Sequence, residues 1–227
     1  MRQDTDTPLT RETILSGQVR EMVRAADPSQ HVLAEAELTE SRDRLLGDHA
    51  GDIWVFAYGS LIWNPAFHHV EQRKARLHGF HRQFCLRTHL GRGTPEQPGL
   101  MLGLEAGGSC TGIAYRIAAD AVELETRILW RREMVVGSYV PRWGVVDGAG
   151  PERRAVTFVI NRDHPMYAGR LPRAEIVRIL AVARGMLGRG SDYVYQLVGA
   201  LDAAGIRDRA LVSIAHDVWA MQIAGED

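Results

Sequence analysis

The apolar run Ile53-Trp54-Val55-Phe56-Ala57-Tyr58 stops abruptly at Gly59-Ser60, and that junction constrains the fold more than any other stretch of the chain. Successive strand side chains point to opposite faces. Here Ile53 and Val55 fall on one face and Trp54 and Phe56 on the other, so neither face is polar. A strand with this pattern is buried on both sides. At Gly59 the chain can take dihedrals closed to other residues, and no side chain shields its N–H. Backbone N–H groups converging there, with the Tyr58 and Ser60 hydroxyls beside them, would suit an anion.

Around this junction the chain is ordinary in size and composition. With 227 residues it suits one domain with a terminal appendage. A net charge of −1 sets up no global field for nucleic acid or anionic lipid. The arginine-rich patch from Arg73 to Arg87 lacks the interleaved aromatic residues or groove-reading helix of a nucleic-acid binder. No stretch approaches the roughly 18 apolar residues of a membrane span. The N-terminus has no hydrophobic signal core. Two cysteines, Cys85 and Cys110, suit a reducing compartment, although one bridge between them stays open. The expectation is a cytoplasmic protein.

Residues 1–8 are polar and read as a loose lead. Thr10 is placed to cap a helix through Ala26, and Ser29 a charge-dominated helix from Gln30 to Leu46. Residues 1–50 are therefore expected to be a helical extension on a domain spanning 51–227, and to be structural. Leu100 to Glu105 and Ile113 to Ala118 both alternate and flank Gly107-Gly108, which predicts an antiparallel hairpin. Pro141 places the strand from Ser138 to Val146 at an edge or a bulge. Arg154 to Ile160 is a cleaner strand. Three helices close the chain, the first carried by Ile176, Leu180, Ala183 and Leu187. Ser191 is placed to cap the second, which Gly205 stops, and Asp208 the third. Strands lead and helices follow without regular βαβ alternation, so the class is α+β.

Glu133 is the strongest catalytic candidate. On the helix from Asp120 to Met134 it shares a stripe with Val122, Leu129 and Trp130, so it faces inward at the C-terminal turn. Burial and the carbonyl ends there both push a carboxylate pKa upward. The alternative for Glu133 is an ion pair with Arg131 or Arg132. Metal chemistry finds little support: His68 and His69 would point to opposite faces of a strand, and His78 and His81 have a helical spacing in a segment that is not helical. No glycine cluster fits a nucleotide-binding pattern. Ser60 lacks the GxSxG elbow of a serine hydrolase.

Six ordered blocks carry a family resemblance. They are the segment Phe56 to Phe67, Arg92 to Gly99, Gly112 to Arg116, Trp130 to Met134, His164 to Tyr167 and Gly190 to Tyr195. Together they resemble the ChaC-type γ-glutamylcyclotransferases, which cleave glutathione. The resemblance implies a small β-barrel with surrounding helices and a substrate-binding segment over Ala57, Tyr58, Gly59, Ser60, Leu61 and Ile62. It implies that Glu133 is the proton acceptor, with no metal or organic cofactor. Ala57 stands where relatives have glycine, a small departure. Arg92 and Tyr139 are further pocket candidates. Proteins of this type have also been described as regulators of cation transport, which is the alternative of a different class, as is a cyclotransferase for other γ-glutamyl compounds.

Overall fold

The computed structural model describes residues 9–47, 49–149, 151 and 153–225. The expected loose lead over residues 1–8 lies outside the described residues. The junction strand is β1, Ile53–Ala57, and all five of its residues are buried, as the two apolar faces require. It pairs antiparallel with β3 (Gly99–Ile117) from Ile53↔Ile117 to Ala57↔Ile113. β3 in turn pairs with β2 (Glu71–Thr88) from Glu71↔Arg116 to Thr88↔Gly99. β4 (Tyr139–Asp147) and β5 (Arg154–Ile160) pair antiparallel at seven positions, and β4 meets β2 at Arg76↔Asp147 and Leu77↔Val146. The order β1-β3-β2-β4-β5 closes into a barrel.

The closing seam is thin. β5 and β1 run parallel and meet through the single pair Val55↔Val156. Side chains reinforce it: the Thr157 hydroxyl donates to the Phe56 carbonyl at 3.2 Å, and the Tyr58 hydroxyl to the Phe158 carbonyl at 2.9 Å.

Several expectations need correction. No hairpin forms at Gly107-Gly108; β3 is one strand running straight through it. With φ of 96° and 72° these glycines bend the strand instead of reversing it, opposite a register shift between His78 and Phe80. Both halves of β3 find their partner in β2, whose poor alternation concealed an 18-residue strand. Pro141 does sit where β4 has only β5 as a neighbour.

The first predicted helix is two, α1 (Arg11–Leu15) and α2 (Gln18–Ala26), divided at Gly17 with φ 80°. Thr10 caps α1 as expected, its hydroxyl accepting from the Thr13 N–H at 3.2 Å. α3 starts at Glu35, where the Glu37 carboxylate accepts the Ala34 N–H at 2.6 Å, and runs to Leu46. Ser29 instead bonds to Asp27. α4 is Val122–Glu133; Ile128 is buried, whereas Leu124 is 38% exposed.

α5 (Arg173–Val182) ends before Leu187, which lies in a small hairpin of β6 (Arg184–Gly185) and β7 (Gly188–Arg189). α6 (Gly190–Ala203) is capped by Asp192, whose carboxylate accepts the Arg189 N–H at 2.9 Å, while Ser191 is buried against Gln222. α7 (Arg209–Ala224) is capped by Asp208 as predicted.

Candidate active site

β1 delivers the chain into a 3-10 turn, Ser60–Ile62. The N–H groups of Ile62 and Asn64 bond back to Gly59 and Ser60 at 3.0 Å each. As at any helix start, the first N–H groups, those of Ser60 and Leu61, find no acceptor within the turn. Ala57 and Leu61 are buried, and the Ile62 carbonyl accepts the Tyr115 hydroxyl at 3.0 Å. The Arg82 guanidinium, held also by Asp208, donates to the Tyr58 carbonyl at 2.7 Å. The whole segment is thus pinned from below.

Gly59 has φ −128° and ψ −134°. A Cβ there would lie 3.1 Å from the Tyr193 hydroxyl oxygen, a tight contact that glycine avoids. The Tyr58 hydroxyl differs from expectation, since it is committed to Phe158 rather than offered to a ligand.

Two adjoining cavities open at this turn. The inner one, about 150 Å³, is lined by Tyr58, Gly59, Ser60, Leu61, Glu133, Tyr139 and Tyr193, whereas Ala57 and Ile62 line neither cavity. The outer one, about 300 Å³, adds Trp63, Arg92 and Gln196. They share Leu9, Ser60, Met101, Arg132 and Tyr193. Of the two further candidates, Tyr139 lies in the inner cavity with its hydroxyl on the Leu102 carbonyl at 2.8 Å, and Arg92 in the outer, donating to Arg189 O at 3.2 Å and Gln196 Oε1 at 3.3 Å.

Glu133 closes α4 and faces the inner cavity with its side chain 15% exposed. Arg132 Nε lies 3.0 Å from its Oε1, so the ion pair anticipated as an alternative is present. The pair does not hold the carboxyl low. Burial raises the Glu133 pKa above the ordinary carboxylate value against the opposing pull of Arg132. Burial likewise lowers that of Arg132. Tyr58, Tyr139 and Tyr193 surround the carboxylate, and burial pushes all three phenols up, keeping them neutral.

Arg132 is the residue that sequence reasoning undervalued. Only 3% exposed, it donates to the Asn64 carbonyl and, at 3.2 Å, to the Ser60 hydroxyl, as well as to Glu133. It thereby ties the acid to the turn. Its signal was its place beside Glu133 in the Trp130–Met134 block. Tyr193 was read only as a member of the Gly190–Tyr195 block, with no role of its own. Leu9 was left out altogether, because residues 1–50 carried no motif.

Among the described residues no histidine lines either cavity, and no group of three or more His, Cys, Asp or Glu is placed to hold a metal. His68 and His69 fall in the loop before β2, the His68 N–H bonding to Glu125 at 2.8 Å. Cys85 and Cys110 are free buried thiols, pushed by burial to about 12 and about 11. No helix among the described residues is long and apolar enough to cross a membrane.

The barrel and its helices have the γ-glutamylcyclotransferase fold. The crystal structure of a yeast γ-glutamylcyclotransferase specific to glutathione matches with a TM-score of 0.68 at 20% identity, covering 76% of this chain and 100% of that one. The sequence narrows this further. The family model described as ChaC-like protein matches residues 53–221, and the chain belongs to that family. It is 41% identical over 162 residues to the Escherichia coli (strain K12) protein named glutathione-specific gamma-glutamylcyclotransferase, covering 71% of this chain and 70% of that one. With the Homo sapiens protein named glutathione-specific gamma-glutamylcyclotransferase 1 the identity is 28% over 176 residues, covering 74% and 79%.

Proposed function

We propose that this chain cleaves glutathione to 5-oxoproline and cysteinylglycine, with the γ-glutamyl unit in the inner cavity and the leaving dipeptide in the outer. The observation that carries the reading is Glu133: a buried carboxylate with a raised pKa, facing a turn whose first N–H groups have no acceptor within it. The relatives' names point to the same substrate.

The α-amine nitrogen of the γ-glutamyl unit bonds to its own γ-carbonyl carbon, and the bond from that carbon to the cysteinyl nitrogen breaks. Because nucleophile and electrophile belong to one molecule, little entropy of encounter remains to be overcome. An amine of pKa near 8 is mostly protonated at neutral pH, and an amide nitrogen leaves poorly without a proton. Glu133 takes the proton from the ammonium and passes it to the departing nitrogen. A pKa lifted toward neutrality suits both transfers. The Ser60 and Leu61 N–H groups hold the substrate α-carboxylate or the developing oxyanion. The Ser60 hydroxyl accepts from Arg132, which leaves its own proton free to point into the cavity. With no histidine to activate it, Ser60 binds and does not attack.

In this reading residues 51–227 form the catalytic domain, supported by the family match over 53–221, and the two buried free thiols suit a reducing cytoplasm. Incubation of the protein with glutathione should release 5-oxoproline and cysteinylglycine in equal amounts. Absence of both, with the protein folded, would refute the reading.

A further inference from the structure

The family match begins at residue 53, yet Leu9 stands in the wall of both cavities. It is held there firmly. Its carbonyl accepts from Asn64 Nδ2 at 2.9 Å, and the Asn64 carbonyl in turn accepts from Arg132. Two residues on, Arg11 makes a two-pronged pair with Glu125 of α4, a carboxylate only 3% exposed that also accepts the His68 N–H. Ile14 is buried, and the Leu15 carbonyl accepts from Arg131 at 2.7 Å. The segment is therefore fastened along α4 as far as the residue next to Arg132 and Glu133.

The position of Leu9 relative to the reaction follows from the linings. Glu133 and Tyr139 line the inner cavity and not the outer; Arg92 and Gln196 line the outer and not the inner. Leu9 lines both, so it stands at the junction. A substrate that cyclises inside and departs outside places the scissile amide near that junction, and the residue after the γ-glutamyl unit beside Leu9.

We infer that Leu9 is a specificity-determining residue: its apolar side chain packs against the residue that follows the γ-glutamyl unit, so a segment outside the family match forms part of the substrate site. A side chain of cysteine's size fits against it, and a bulky one collides. This inference rests on the reaction proposed above.

The test compares wild type, Leu9→Ala and Leu9→Met with glutathione and with γ-glutamylphenylalanylglycine, following 5-oxoproline. Truncating an apolar contact in a substrate pocket is worth about 10-fold. Leu9→Ala should raise KM for glutathione by about that factor while kcat stays within about twofold. It should also shift kcat/KM in favour of the phenylalanyl substrate, and Leu9→Met should restore wild-type behaviour. Melting temperatures distinguish this from loss of fold, which would lower the active fraction without changing the preference between substrates. An unchanged KM and an unchanged substrate preference in Leu9→Ala, with wild type active, overturn the inference alone. A wild type that releases no 5-oxoproline removes the proposed reaction and the inference together.

Discussion

Replacing Arg132 by methionine removes both tasks the structure gives it, and the pH profile tells them apart. Methionine keeps an unbranched side chain of similar length but removes the cation beside Glu133 and the donors to Asn64 and Ser60. At present burial raises the Glu133 pKa and Arg132 opposes it. Without the cation, burial acts unopposed. An opposite charge within a few ångströms holds a carboxyl down by about 1–3 units, equivalent to about 1.4–4 kcal/mol between protonation states. The carboxylate is the form that accepts the ammonium proton, so activity falls as pH drops through the Glu133 pKa. The acid limb of kcat/KM should therefore move upward by about 1–3 pH units in Arg132→Met. At pH values below both the wild-type and the shifted limb, activity should fall by about 10–1,000-fold relative to wild type, and it should recover as pH rises. Arg132→Lys keeps a charge and should leave the limb near its wild-type position. The assay is the initial rate of 5-oxoproline release across the acid and neutral range, with circular dichroism to check the fold. A lowered plateau with an unmoved limb would show that Arg132 acts only through the turn, and the electrostatic argument would fall.

Glu133→Gln keeps an oxygen for Arg132 but cannot take the ammonium proton. Turnover should drop by about 10²–10⁴-fold, with glutathione binding, measured by calorimetry, little changed. Near-normal turnover would remove Glu133 from the mechanism. Glu123, exposed and on the same helix, is the suitable glutamine control; Glu125 is not, because it is buried and holds Arg11. Ser60→Ala removes one hydroxyl and leaves the backbone donors. It should weaken binding by about 1.5–3 kcal/mol, read as a raised KM, while cyclisation remains measurable. A trapped acyl-serine on the wild-type protein would contradict this.

Local pattern revealed those parts of the fold whose causes are local. β1 was legible because both its faces are apolar, the Asp208 cap because an acceptor preceded an amphipathic helix, and Glu133 because helical spacing turned it inward. What pattern could not show was partnership at a distance. β3 looked like a hairpin because its two halves alternate around glycines, and only the length of β2 makes one strand of them. Ser191 looked like a cap until Gln222, thirty-one residues on, proved to be its partner. Arg132 and Leu9 gain their places from contacts with Asn64 that no window of sequence contains.

The thin seam between β1 and β5 bears on how freely the binding segment can evolve. One backbone pair joins these strands, and the hydroxyl of Tyr58 is one of two side-chain stitches beside it. The same residue lines the inner cavity next to Glu133. Phenylalanine there would keep the ring but leave the Phe158 carbonyl unsatisfied at the place where the barrel is weakest. Tyr58 therefore serves barrel closure and, in the proposed reaction, the wall around the substrate at once. Change at this position is limited by two independent demands, whichever γ-glutamyl compound the site takes.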